Sequence, residues 1–130
     1  MGRQKYLIDT NVAIEYIGET IPEIVLNKLD DIFDEQFYIS VINKIELLGF
    51  SEITTNEELK FSELINAAIV LALNENVVNR TIQIRKKYRT KLPDAIIAAT
   101  AIENQLTIIT RNTKDFDKIE GVEILSPFDL

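Results

Sequence analysis

The chain has 130 residues, a length at which one domain of roughly 100–200 residues buries about two-thirds of its unfolded surface. It is 46% hydrophobic and 27% charged, with a formal net charge of -7, a balance typical of a globular protein and not of a disordered one. Cysteine and histidine are both absent. Their absence excludes disulfides, thiolate or imidazole nucleophiles and Cys- or His-ligated metals, so any site must use carboxylates, amides, hydroxyls, Lys or Arg.

The N-terminal half predicts two strands separated by helices. Residues 6–8 are a short apolar run typical of a buried strand, and the Asp-Thr-Asn that follows precedes a helix over 12–17, which ends at Gly18. Pro22 suits the first turn of a second helix, whose apolar face comprises Ile24, Val25, Leu29, Ile32 and Phe33. Residues 37–42 are aromatic and β-branched and predict the second strand, with helices over 44–48 and 56–67 after it.

The C-terminal half predicts three more strands. Residues 69–73 read as a strand, and an amphipathic helix follows over 75–88, with inward candidates at Val77, Val78, Ile82 and Ile84. Residues 95–105 are apolar nearly all round, which predicts a buried helix packed on the sheet, or alternatively one in a dimer interface. Strands at 107–110 and 122–125 flank a turn over 111–117. This alternation predicts an α/β fold, a single domain over 1–130 whose mostly parallel five-stranded sheet carries helices on both faces.

The charge is unevenly distributed along the chain. Residues 1–65 carry 13 acidic and 5 basic side chains, whereas residues 66–130 carry 8 acidic and 9 basic ones. Between positions 80 and 91 lie six basic residues and no acidic one: Arg80, Arg85, Lys86, Lys87, Arg89 and Lys91. Such a basic face can bind phosphates despite the negative total. Neither a signal-peptide core nor a membrane-length apolar run is present, which predicts a soluble cytoplasmic protein.

Four acidic positions, each on a different predicted element, are candidates for a site beyond the carboxyl ends of the strands: Asp9, Glu46, Asp94 and Asp115. Each alone also has a structural explanation. Asp9 can cap a helix, and Glu46, which shares a helix face with Ile42 and borders the buried stripe, can be a surface residue. Asp94 can favour a helix dipole, and Asp115, like Asn112, is an ordinary turn residue.

Taken together, the four carboxylates indicate chemistry. Brought close, they would raise one another's pKa values unless a divalent cation such as Mg²⁺ or Mn²⁺ neutralised them. With the basic cluster, Arg111 and Lys114 available for phosphates, a phosphodiester is the natural substrate, and a water activated by the metal is the natural nucleophile.

Four stretches also match a known family in their order along the chain. They are residues 7–12 (Leu-Ile-Asp-Thr-Asn-Val), 40–49 from Ser-Val-Ile to Glu-Leu-Leu-Gly, 92–101 (Leu-Pro-Asp-Ala-Ile-Ile-Ala-Ala-Thr-Ala) and 106–116 from Leu-Thr-Ile-Ile-Thr-Arg-Asn to Asp-Phe. The chain resembles the PIN domain family, most closely the VapC-type ribonuclease toxins of toxin–antitoxin modules. This resemblance implies a sheet with the first strand central, a homodimer, a Mg²⁺ or Mn²⁺ site, endonucleolytic cleavage of RNA, and a small cognate antitoxin that covers the active site.

The resemblance also implies residue roles. Asp9, Glu46 and Asp94 match the metal-binding, catalytic carboxylates. The fourth position falls on Asp115, with Asn112 as a neutral ligand or support, although many relatives have an acid at the position of Asn112. The supporting residues are Thr10, Asn11, Asn43, Thr110 and Asn112, where Asn43 replaces the Thr or Ser of many relatives. The distribution of basic charge, and not the resemblance, supplies the candidate RNA-binding residues, which are Arg85, Lys86, Lys87, Arg89, Arg111 and Lys114.

Two other functional classes remain open from the sequence. The first is a PIN fold that has lost catalysis and serves as a binding or scaffold module, which metal binding by the pure protein would distinguish. The second is other phosphate chemistry around Mg²⁺. A response-regulator receiver usually has paired acids after its first strand, and a haloacid-dehalogenase-like phosphatase needs a second Asp where this chain has Asn11.

Overall fold

A computed structural model describes residues 4–130. The strands are β1 (Tyr6–Ile8), β2 (Tyr38–Ser40), β3 (Ile69–Leu71), β4 (Thr107–Ile109) and β5 (Glu123–Leu125). The α-helices are α1 (Thr10–Gly18), α2 (Glu23–Asp34), α3 (Val41–Leu48), α4 (Thr55–Ala67), α5 (Glu75–Lys87) and α6 (Leu92–Asn104). Short 3-10 helices cover Thr113–Asp115 and Pro127–Asp129. Within residues 4–130, no helix has both the length and the apolar character needed to cross a bilayer.

The five strands form one sheet in the order β3-β2-β1-β4-β5, and every neighbouring pair is parallel. β1 is the central strand, where Leu7 pairs with Tyr38 of β2 on one side and Ile108 of β4 on the other. The predicted α/β architecture with a parallel five-stranded sheet is therefore confirmed.

The sheet separates two hydrophobic cores. Successive side chains of a strand point to opposite faces, so Leu7 and Ile108 pack with α5 and α6, whereas Ile8 and Ile109 pack with α1, α2 and α4. Helices on both faces explain why the short strands are almost wholly apolar. In the same core as Leu7, residues 95–101 of α6 are all buried within the chain. The prediction that this helix packs on the sheet is confirmed.

The structure corrects some of the predicted boundaries. The second strand ends at Ser40 instead of Ile42, because the Ser40 hydroxyl accepts hydrogen bonds from the backbone N–H groups of Ile42 and Asn43 and starts α3 there. α1 begins at Thr10, two positions before the predicted start, because the Asp9 side chain caps it. The third strand ends at Leu71, and Asn74 then caps α5.

The amphipathic predictions were wrong at three positions. Ile24 of α2 is 67% exposed, and Val78 and Ile82 of α5 are 38% and 47% exposed. On α5 the buried positions are instead Val77, Thr81 and Ile84, which share a face at helical spacing. Thr81 can be buried because its hydroxyl donates to the backbone carbonyl of Val77 (2.7 Å).

Candidate active site

The sheet has a topological switch point between β1 and β4. From β1 the chain builds outward through β2 and β3, and it then returns to place β4 and β5 on the other side of β1. Connections that leave neighbouring strands in opposite directions open a crevice at the carboxyl edge of a parallel sheet. Asp9 directly follows β1 and Thr110 directly follows β4, so both residues lie at this crevice.

Asp9 is held rigidly at the bottom of the crevice. It is 8% exposed, its Oδ1 accepts the backbone N–H of Thr10 (2.9 Å), and its Oδ2 accepts the hydroxyl of Thr110 (2.8 Å). Burial raises the pKa of this carboxyl, against the lowering effect of the two hydrogen bonds, and the charges of Glu46 and Asp115 raise the pKa further. Asp9 therefore caps α1 and is also a buried carboxyl facing other acids.

Glu46 is oriented by a chain of hydrogen bonds from β2 and α3. The Thr10 hydroxyl donates to Glu46 Oε1 (2.7 Å) and accepts from Nδ2 of Asn43 (3.0 Å), so its single proton is directed at the carboxylate. Asn43 is fully buried, and its Oδ1 accepts from the backbone N–H of Ser40 (2.8 Å) and the hydroxyl of Ser40 (3.1 Å). Glu46 itself is exposed, which agrees with the surface position that the sequence left open for it, and it follows the buried Asn43 by three residues on the same helix.

Asp94 faces the same crevice from the first turn of α6. It is half-buried, and its pKa is raised to about 6, mainly by burial and then by the charges of Asp115, Asp9 and Glu46. Lys91, just before the helix, acts in the opposite direction and lowers the pKa of Asp94. These mutual effects show that the four acidic side chains lie within electrostatic range of one another.

The segment after β4 contributes Asp115 and Asn112 in different ways. Asp115 lies in the 3-10 helix Thr113–Asp115, is exposed, and its charge raises the pKa values of both Asp9 and Asp94. The backbone N–H of Asn112 donates to the Thr110 hydroxyl (3.0 Å), and its exposed side chain lines a neighbouring cavity together with Asn11.

The donor set fits a hard divalent cation by its chemistry. The four carboxylates lie within electrostatic range of one another, and burial together with repulsion penalises the ionised forms of Asp9 and Asp94, a penalty that a cation would relieve. Across the described residues, however, no group of three or more acidic side chains is arranged to hold a metal ion as it stands. Holding an ion therefore needs a change from the observed side-chain geometry, for which the exposed carboxylate of Asp115 leaves room.

The predicted RNA-binding residues fall into two groups. Arg85, Lys86, Lys87 and Arg89 lie at the end of α5 and just beyond it, where Arg85 donates to the carbonyl of Thr90 (2.8 Å) and Lys87 pairs with Glu120 (3.3 Å). These contacts do not join them to the carboxylates. Arg111 and Lys114 instead follow β4 and lie in the segment that carries Asp115.

Sequence reasoning missed two structural contributors. Ser40 forms a reciprocal capping box with Asn43. The sequence feature that could have revealed it is a Ser at the end of a strand with an amide residue three positions later. Glu15 forms an ion pair with Arg111. The sequence feature that could have placed Glu15 near the site is its position one helical turn after Asn11 on α1.

These motifs and this geometry match a known family. The PIN domain family model matches residues 6–122. The chain belongs to the PIN domain family. Toxin FitB of Neisseria gonorrhoeae (strain ATCC 700825 / FA 1090) is 33% identical, over 85% of this chain and 89% of that protein. The resemblance stated from the sequence is thereby confirmed.

Solved structures of other PIN proteins share the fold. A toxin–antitoxin complex from Klebsiella pneumoniae contains a chain that superposes with a TM-score of 0.78 at 28% identity, covering 97% of this chain and 100% of that one. DNA-bound VapBC from Salmonella typhimurium gives a TM-score of 0.79 at 26% identity, covering 96% and 99%. PIN-domain toxins are nucleases, and PIN-domain nucleases generally use a divalent metal ion.

Proposed function

We propose that this PIN protein is the toxin of a toxin–antitoxin pair and a Mg²⁺- or Mn²⁺-dependent endoribonuclease, with residues 1–130 acting as a single PIN domain. The observation that carries the proposal is the electrostatic coupling of carboxylates from four separate elements at the β1/β4 switch point, where acidic neighbours raise the pKa values of Asp9 and Asp94. A cluster that is costly in stability and lies at a ligand-binding edge is typical of a functional site.

Each carboxylate has a role in this proposal. Asp9, Glu46, Asp94 and Asp115 would hold the metal ion and carry catalysis. When bound, the ion supplies Lewis-acid activation of a water and neutralises charge at the scissile phosphate. Thr110 and the backbone of Thr10 fix the two oxygens of Asp9, and the Thr10 hydroxyl fixes Glu46. Asn43 keeps that hydroxyl in place, while Asn11 and Asn112 support the site from the adjoining cavity.

The proposed substrate is RNA, and the proposed partners are an antitoxin and a second copy of this chain. The exposed basic residues Arg85, Lys86, Lys87 and Arg89, with Arg111 and Lys114, would bind RNA phosphates. A cognate antitoxin is supported by the relatives whose structures are toxin–antitoxin complexes. We further expect a homodimer, as the family resemblance implies, and a cytoplasmic location, since a chain without cysteine suits a reducing compartment.

An RNA cleavage assay tests the proposal. Purified protein, shown free of antitoxin, is incubated with a panel of end-labelled RNAs in Mg²⁺, in Mn²⁺ and in EDTA. Asp9→Asn and Asp94→Asn remove carboxylate charge with little change in volume, and Asp31→Asn makes the same change at an exposed position of α2. We expect cleavage by the wild type and by Asp31→Asn only when a metal is present, and none by the other two variants.

Two results would contradict the proposal. Full activity of Asp9→Asn or Asp94→Asn would exclude these carboxylates from the site. A folded wild type that cleaves none of the RNAs, and that binds neither ion in a titration, would instead favour the inactive PIN-fold binding module.

A further inference from the structure

A polar cavity adjoins the carboxylate crevice. It has a volume of about 300 Å³, at the lower end of the range typical of ligand pockets, and its lining residues are Asn11, Ile14, Glu15, Arg111 and Asn112. Two of its lining residues are directly connected to the residues that hydrogen-bond Asp9. Asn11 follows Thr10 in α1, and the backbone of Asn112 donates to the same Thr110 hydroxyl that donates to Asp9. The cavity therefore lies beside the residues that hold Asp9.

Arg111 is fixed in place at this cavity. Its guanidinium forms an ion pair with Glu15 of α1, and its Cζ lies 5.1 Å from the centroid of the Phe128 ring. The Arg111 side chain is still 44% exposed. Its hydrogen bond within residues 4–130 uses Nη1, so other N–H donors are left for a ligand. A guanidinium held between a carboxylate and an aromatic ring is pre-organised for planar, two-pronged contact with a phosphate.

The other groups around the cavity suit a single-stranded nucleic acid. Asn11 and Asn112 are exposed amides, which carry both donors and acceptors for the edge of a base. Phe128, which contacts Arg111 and is not itself part of the lining, is 46% exposed and offers ring area on which an unpaired base can stack. Ile14 is the apolar residue of the lining. The cavity therefore does not offer the hydrophobic groove into which an amphipathic peptide helix places its apolar face.

We propose that this cavity binds the nucleotide adjacent to the scissile phosphate of a single-stranded RNA. Arg111 holds its phosphate, and Asn11 and Asn112 contact its base edge and so contribute to sequence preference. Glu15 fills the phosphate position in the free protein and gives up Arg111 when RNA binds. This inference rests on the proposed ribonuclease function and names where its substrate docks.

Equilibrium binding in EDTA tests the docking site without cleavage. The probe is a short fluorescein-labelled single-stranded RNA of mixed sequence, followed by fluorescence anisotropy at several salt concentrations. Arg111→Ala should raise Kd about tenfold, as expected for loss of a charge-assisted hydrogen bond. It should also reduce the slope of log K against log salt by about 0.7. Lys60→Ala removes the same charge at an exposed position of α4 and is the matched control.

Glu15→Gln separates this role from a structural one. If Glu15 competes with phosphate for Arg111, its loss should lower Kd more than Glu63→Gln, which removes an exposed carboxylate from α4. Weaker RNA binding by both Arg111→Ala and Glu15→Gln would mean that the ion pair serves the fold, and would overturn the proposal. So would an Arg111→Ala variant that binds RNA like Lys60→Ala.

Base recognition has its own readout. In Mg²⁺ or Mn²⁺, Asn11→Ala and Asn112→Ala should change the relative cleavage rates of RNAs that differ at one base, and unchanged preference in both variants would overturn this part. The outcomes also separate the two proposals. If the wild type cleaves RNA but Arg111→Ala binds like the control, only the docking site fails. If binding depends on Arg111 but no RNA is cleaved with either metal, the ribonuclease function fails and the cavity is left as an RNA-binding site of an inactive PIN-fold module.

Discussion

Replacement of Asp94 by Asn should stabilise the metal-free protein at neutral pH. The carboxyl of Asp94 is half-buried and faces three other acids, so its ionised form is penalised in the folded state. Asn has nearly the same shape and no charge, so it removes the penalty and leaves the packing of α6 in place. The same change should abolish cleavage, because it deletes a proposed metal ligand.

The expected size follows from the pKa. Its rise from 3.8 to about 6 corresponds to about 3 kcal/mol at about 1.4 kcal/mol per pKa unit, before screening by solvent is considered. Screening at this half-buried position reduces the figure to about 1–2 kcal/mol. The N-terminus of α6 favours the carboxylate by about 0.5 kcal/mol, which opposes the effect. We expect Asp94→Asn to gain about 1 kcal/mol, or about 4 °C in Tm for a chain of this size.

The pH dependence of the gain identifies its cause. Because the pKa of Asp94 is higher in the folded state than in the unfolded state, the folded wild type binds the proton more tightly. The stabilisation that comes from protonated Asp94 is fully present below about pH 4 and is lost as the pH rises through about 6. The free-energy difference between Asp94→Asn and the wild type should therefore be near zero at pH 4 and reach its full value by pH 7.

Urea denaturation in EDTA at several pH values measures this difference. Asp31→Asn on α2 is the control, since it removes an exposed carboxylate far from the crevice in sequence. Lower stability of Asp94→Asn than of the wild type at pH 7 would show that the ionised carboxylate is not penalised in the fold. A gain that is equally large at pH 4 would also contradict this penalty, because the wild-type carboxyl is then largely protonated in the fold.

The remaining predictions address the hydrogen bonds and the metal. Asn43→Ala should lower the free energy of unfolding by about 2 kcal/mol in urea denaturation, because it leaves buried hydrogen-bonding partners unpaired, and it should also lower kcat. Asn79→Ala, at an exposed position of α5, should change neither quantity. Equal stability of the two variants would contradict the assigned hydrogen-bond network. Thr110→Val removes the hydroxyl that lowers the pKa of Asp9, so the acidic limb of the activity–pH profile should move to higher pH; buried Thr100→Val, whose hydroxyl bonds within α6, should leave the profile in place. In differential scanning calorimetry, Mg²⁺ at about 100 times its Kd should stabilise the wild type by about 2.7 kcal/mol and Asp9→Asn much less; equal stabilisation of both would locate the ion elsewhere.

Much of the fold could be predicted because its signals are local. The apolar runs at residues 6–8 and 107–109 have the length and composition of buried strands, and residues 95–102 of α6 are apolar nearly all round, as suits a helix covered by the sheet and α5. The hydrophobic periodicity of a helix gave the wrong buried face where a polar residue, and not an apolar one, packs against the core. Val78 and Ile82 of α5 are exposed because the buried stripe runs instead through Thr81, whose hydroxyl is satisfied within the helix.

The sequence by itself determined the alternation of strands and helices, the absence of cysteine and histidine chemistry, and the positions at which acids follow strand ends. Only the tertiary structure decided how those acids are held. The Thr110–Asp9 and Asn43–Thr10–Glu46 hydrogen bonds join residues far apart in the chain, as does the contact of Arg111 with Glu15 and Phe128. Such contacts depend on strand order and side-chain rotamers, and no local pattern of hydrophobicity or turn residues encodes either one.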